Sequence, residues 1–183
     1  MLEFTDINKS LPNGQNMGGL TQEIYFGFHA DVLTWPTAPV APATLAAAAI
    51  LTGELIMKPG KKLFKMYITD DTGEFNIESV GELDAKSFVQ HLKFFHPGLQ
   101  ATIISFMNAV KNRNLIFVVQ DSDGQFYLMG DSMRAAIYQG SPDGNGTGKT
   151  TADRKGMSAE FTYKTSNVYI YTGTVPLTIA TGV

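Results

Sequence analysis

The strongest constraint on this chain is its hydrophobic rhythm, which is two along most of its length and helical in only one place. Phe64, Met66 and Ile68 alternate with Leu63, Lys65 and Tyr67, Phe75 and Ile77 with Asn76 and Glu78, and Ala159, Phe161 and Tyr163 with Ser158, Glu160 and Thr162. Successive side chains of a strand leave opposite faces, so these segments read as strands. Leu115-Ile116-Phe117-Val118-Val119 is an unbroken apolar run, expected of a strand covered on both faces. The helical period belongs to Leu99, Ile103, Phe106, Met107 and Val110, which share one stripe. Pro97 suits a first helical position, Lys111 and Arg113 suit the negative end of the dipole, and Asn112 or Asn114 can take a left-handed cap, so the helix is expected over 97–111. Strand and helix do not alternate, which argues against a parallel α/β sheet. The expected fold is mainly β (α+β), an antiparallel β-sandwich or barrel of about eight to ten strands with one flanking helix.

Three parts are expected: an N-terminal arm over 1–20, a single β-rich domain over 21–174 and a C-terminal tail over 175–183. Ser10-Leu11-Pro12-Asn13-Gly14 and Gly18-Gly19 are turn formers with little apolar pattern to hold them. Strand character starts at Gln22-Glu23-Ile24-Tyr25-Phe26-Gly27-Phe28. Residues 35–43 hold three prolines and form an extended connector, followed by a short helical turn over 44–49 and a strand over 52–57. Asp70-Asp71-Thr72-Gly73 is a turn signal and predicts a hairpin joining 64–68 to 75–77. A further strand is expected over 87–95. Asp121-Ser122-Asp123-Gly124 turns the apolar run into Phe126-Tyr127-Leu128, and residues 168–171 are expected to pair with 158–163. In the tail, Val175, Leu177 and Ile179 alternate, with no core role expected.

Composition narrows the functions. Lys plus Arg is 14 and Asp plus Glu is 17, a formal charge of −3, which argues against holding nucleic acid by a broad basic face. There is no cysteine, hence no disulfide, thiolate metal site or thiol nucleophile. No apolar run approaches the roughly 18 residues of a membrane span. Met1-Leu2-Glu3-Phe4 lacks the layout of a signal peptide, so a soluble chain made in a reducing compartment is expected.

Asp143-Gly144-Asn145-Gly146-Thr147-Gly148-Lys149-Thr150 looks like a phosphate loop, but Asp143 stands where the pattern demands glycine, and Thr151-Ala152-Asp153-Arg154-Lys155-Gly156 has no helical stripe to follow it. A flexible loop is the better reading. Asp121-Ser122-Asp123-Gly124 begins like a calcium loop but has Phe126 and Ser132 where Gly and Glu are needed. Asp70, Asp71 and Glu74 read as a polar turn. His29, His91 and His96 lack zinc-helix spacing, and no Gly-x-Ser-x-Gly elbow accompanies them. No enzyme and no cofactor are therefore expected. The aromatics lie mostly in alternating strands. Trp35, in the proline connector, is the candidate anchor on a neighbouring molecule.

Several stretches taken in order carry a resemblance: Pro59-Gly60, Tyr67-Ile68-Thr69-Asp70-Asp71-Thr72-Gly73-Glu74, Glu78-Ser79-Val80-Gly81-Glu82, Phe94-Phe95-His96-Pro97-Gly98, Phe117-Val118-Val119-Gln120-Asp121-Ser122-Asp123-Gly124, and Gly146-Thr147-Gly148-Lys149-Thr150-Thr151-Ala152-Asp153-Arg154-Lys155-Gly156. Over about residues 55–165 the chain resembles tail tube proteins of bacteriophages that infect Bacteroidetes-type hosts. The resemblance implies a virion protein made in the host cytoplasm. Its hexameric rings stack around a lumen that passes double-stranded DNA, and each subunit lends strands to a shared inner barrel. The implied partners are the chain itself and other tail proteins (terminator, tape measure, distal tail or baseplate), with no membrane. The candidate lumen or inter-ring residues are Asp70, Asp71, Glu74, Glu78, Glu82 and Asp84, and the candidate inter-subunit loop carries Gly146, Gly148, Lys149, Asp153, Arg154 and Lys155. A tail terminator or contractile-injection tube, and an unrelated β-sandwich binding module, are the alternatives.

Overall fold

β7 (Leu115–Asp121) is the strand around which the molecule is laid out, because its two faces belong to two different cores. In the computed structural model, which describes residues 4–7 and 16–181, Leu115, Phe117 and Val119 point into one apolar cluster and Ile116 and Val118 into another, all five being buried. Strand geometry sends odd and even positions to opposite sides, so a run without polar interruption requires cover on both.

The other strands, in chain order, are β1 (Leu20–Phe28), β2 (Val32–Thr34), β3 (Ile56–Met57), β4 (Phe64–Tyr67), β5 (Glu74–Val80), β6 (Ser87–Pro97), β8 (Phe126–Met129), β9 (Ile137–Gly140), β10 (Asn145–Gly146), β11 (Gly156–Thr165) and β12 (Ile170–Tyr171), with one α-helix, α1 (Ala101–Val110). One sheet runs β12-β8-β7-β1-β4 and a second runs β10-β11-β6-β5, with β9 also on β11; β2 and β3 form a separate ribbon. Every strand pairing is antiparallel. The two larger sheets face each other across Ile24, Met66, Phe117, Leu92, Phe94 and Phe161, with Phe117 and Phe161 rings 4.6 Å apart. This is the expected antiparallel sandwich with one helix beside it; it does not close into a barrel. The second core lies on the far side of the first sheet, where Val32, Leu55, Met57, Leu63 and Tyr171 cover Ile116, Val118 and Leu128.

Four local expectations are corrected. The segments 64–68 and 75–77 are not a hairpin: β4 pairs with β1 and β5 with β6, so Asp70-Asp71-Thr72-Gly73 carries the chain from one sheet to the other. A short polar turn constrains the reversal but not which neighbour the departing strand finds. The helix begins at Ala101, because Pro97 is still in β6 opposite Gly156 and Gly98, at φ 88°, breaks the chain direction. Its end also differs: neither Asn112 nor Asn114 has positive φ. The 168–171 segment pairs through β12 with β8, not with β11. Finally, the tail is tied into the structure. Leu63 N–H donates to Pro176 O at 2.8 Å, Gly60 N–H to Ala180 O at 2.9 Å, and Val175 and Leu177 pack on the second core.

Two expectations need smaller adjustment. Of the predicted 52–57 strand only Ile56 and Met57 are strand, while the short turn near 44–49 is a 3-10 turn over Ala47–Ala49. Much of the predicted arm, including Ser10-Leu11-Pro12-Asn13-Gly14, lies outside the described residues. Its end is held: Ser122 Oγ donates to the carbonyls of Gly18 and Gly19, and β1 starts at Leu20.

Candidate assembly surface

β5 is the longest open edge of the two main sheets. It pairs with β6 on one side, and no strand among the described residues pairs with its other side. Phe75 turns inward and stacks on Tyr127 at 4.8 Å, so half of the strand closes the sandwich. Ile77 has the same inward parity but remains 40% exposed, at a groove of about 340 Å³ formed with Met17, Leu20 and Tyr127. Beyond the strand, Leu83 stands 84% exposed between Glu82 and Asp84. An open row of backbone donors and acceptors beside exposed apolar side chains is a template for another strand.

The six candidate acids do not form one cluster. They border this edge from end to end. Asp70 and Asp71 occupy the crossover turn before β5, Glu74 and Glu78 lie on its outer face, and Glu82 and Asp84 occupy the turn after it. All six are exposed. Asp71 and Asp84 adopt positive φ (56° and 65°), which short polar side chains tolerate in turns. Glu74 lies 3.9 Å from Lys93, and Glu78 lies 3.3 Å from His91 Nε2, while Nδ1 of the same ring meets Glu160 at 2.9 Å. The outer face of the second sheet thus mixes Glu74, Glu78 and Glu160 with His91, Lys93 and Lys164.

The glycine-rich loop shows why it is not a phosphate cradle. Asp153 Oδ2 accepts the backbone N–H groups of both Lys149 and Thr150 at 2.7 Å, so the protein's own carboxylate occupies the donors an anion would need. Those two bonds hold the Asp153 carboxyl below the usual carboxylate range. Gly148 supplies the positive φ of 74° that the turn requires, and no helix follows. Gly146 pairs with Gly156, Arg154 lies over the Phe95 ring at 5.7 Å, and Lys149 and Lys155 are exposed.

Trp35 is half-buried within its own chain. Its ring packs against the second core and lies 4.9 Å from His29. The histidines make local contacts: the His29 ring meets Asp131 O at 2.6 Å and the His96 ring meets Tyr67 O at 2.7 Å. Among the described residues no group of three or more His, Asp or Glu side chains is placed to hold a metal ion, and no helix is long and apolar enough to cross a membrane.

Two features escaped the sequence reading. β5 is an edge only because its supposed hairpin partner joined the other sheet, which no local signal announces. The other is Gln90, a polar residue buried on an inward position of β6 opposite Tyr163. Compared with protein-family models, curated proteins and solved structures, the chain matches none. The fold defines a class, the antiparallel β-sandwich with one flanking α-helix among the described residues.

Proposed function

We propose that this chain is a structural virion protein, the subunit of a bacteriophage tail tube, whose copies close into hexameric rings that stack around a lumen for the genome. The observation that carries the reading is the seven-residue open edge of β5. Completing it with a strand from an identical neighbour pairs its free backbone groups and covers Ile77 and Leu83. A head-to-tail contact of that kind closes into a ring when its rotation permits. The acids bordering β5 suit a lumen or a ring-to-ring seam, because carboxylates repel phosphate and let DNA slide. The motif order from Pro59 to Gly156 supports the same family. Other tail proteins are the further partners of such a tube.

Negative-stain microscopy of the concentrated, purified protein tests this directly. Rings or tubes are expected, and a uniform monomer overturns the proposal. Ile77→Lys, which charges the inward-facing apolar side chain that an added strand would cover, is expected to stay folded by circular dichroism and to abolish rings.

A further inference from the structure

β5 and β6 are joined by a hairpin tip, residues 81–86, that carries an apolar side chain outward. Ala85 N–H donates to Glu82 O at 3.1 Å, closing a turn with Leu83 and Asp84 at its corners. Asp84 takes the positive φ of 65° at the second corner. Leu83 is 84% exposed there and belongs to neither core. Turn corners ordinarily hold polar residues or glycine, and this leucine adds nothing to the burial of its own subunit.

The opposite edge of the same sheet carries a complementary surface. β9 pairs with β11, and no strand among the described residues pairs with its other side. Beside it lies a groove of about 450 Å³. Met133 (89% exposed) and Ile137 (53% exposed) give the groove apolar surface, Arg134 and Lys164 give it positive charge, and no carboxylate lines it. Neither cation takes part in an ion pair among the described residues.

The register sets turn and groove at the same end of the sheet. Ile137 is level with Thr162, Thr162 with His91, and His91 with Asn76. The residues before Ile137 and those after Val80 therefore leave the sheet at one end. From β9 through β11 and β6 to β5 every pairing is antiparallel, so the two edge strands run in opposite directions. Rotation about an axis along the strands preserves those directions. It brings β5 of one copy antiparallel to β9 of the next, and the turn to the groove, without a slide along the strands.

We propose that the 81–86 turn of each copy docks in the groove beside β9 of the next copy, with Leu83 against Met133 and Ile137 and Asp84 between Arg134 and Lys164. The proposal rests on the ring reading above and adds which surface meets the open β5 edge. Charge complementarity selects this partner over a second β5 edge, where Asp84 would meet carboxylates. Of the six acids that border β5, Asp84 is the one this contact uses. The contact is head-to-tail, so each added copy offers a further groove until the ring closes.

The chain has no cysteine, so introduced thiols report on this contact alone. Ala85→Cys and Ser132→Cys, both exposed and both leaving the contact residues in place, are combined in one chain and treated with a short bis-maleimide. On a denaturing gel the double variant should give a ladder ending at the ring number, and each single variant nothing beyond dimers. Asp84→Lys should raise the protein concentration needed for assembly by about two- to fivefold, the worth of one exposed ion pair. Adding Arg134→Glu and Lys164→Glu should restore it. Rings of the double variant in negative stain without a ladder overturn the docking site and leave the ring reading standing. An unchanged assembly concentration in Asp84→Lys overturns it likewise, whether or not the thiol variants assemble. Uniform monomers of the wild type overturn both.

Discussion

At Gly156 the backbone of β11 crosses so close to β6 that a Cβ would press on the His96 carbonyl oxygen and lie 2.5 Å from the Phe95 ring. The position is paired with Pro97 in the register, so neither strand is free to retreat. Gly156→Ala is expected to lower stability by about 1–3 kcal/mol, the range of overpacked sites, read as a shift in the urea midpoint at constant slope. Tyr163 makes a different demand. Burial and the hydrogen bond to Asp131 push its phenol well above its ordinary value. Burial and Asp131 both favour the protonated form in the folded state, so the contribution is complete below the unfolded phenol value near pH 10 and is lost as pH climbs toward the folded one. Stability is therefore expected to fall above about pH 10, and to fall less steeply in Tyr163→Phe, by denaturation measured across the alkaline range. Burial also raises Tyr127 and Tyr171, so a residual slope should survive that substitution.

Among the elements, the loop between β10 and β11 is ordered around the Asp153 side chain, with Arg154 on the Phe95 ring as a second tie. Asp153 satisfies two backbone donors that would otherwise face water, and its carboxyl is displaced downward by them. A lowered folded value means the ordering is present above the unfolded carboxyl value and is lost as pH falls through the folded one. Asp153→Ala is expected to speed amide exchange at Lys149 and Thr150 and to expose the bonds after Lys149, Arg154 and Lys155 to trypsin. The urea midpoint should hardly move, because the group is fully exposed and no core residue depends on it. A large fall in the midpoint would show that the loop supports the sheet rather than decorating it. The helix obeys the same logic of local control. Its apolar stripe was legible, and Ile103 and Val110 are the residues it buries, with Phe106 meeting Phe26 edge-on at 5.0 Å. Its start was not legible, because Pro97 is equally at home at the end of a strand.

For the whole molecule, the arrangement of charge matters more than its sum. The six acids lie within the one segment 70–84, on β5 and the turns at its two ends, and so follow one edge. If copies assemble through that edge, reversing Glu74, Glu78 and Glu82 to Lys should leave rings intact while making them retain double-stranded DNA, with binding that weakens steeply as salt rises. Filter binding on assembled wild-type and reversed protein measures this. In phage, the same reversal should slow DNA ejection, and normal ejection by assembled reversed particles would remove these acids from the lumen.

Residue alternation is a local property, written every two positions, and it was enough to specify a β-rich antiparallel molecule, the doubly covered β7 and the stripe of α1. Turn chemistry was equally local, so the positions of reversals at 70–73 and 121–124 were readable. Partner choice is not local. Whether β4 meets β5 or β1, whether 168–171 joins β11 or β8, and whether residues 175–181 wander or lie on the second core depend on which distant apolar faces remain to be covered once the others have packed. Those choices made β5 an open edge and buried Gln90 opposite Tyr163. Burial is a sum over the folded chain, and no window of sequence contains that sum.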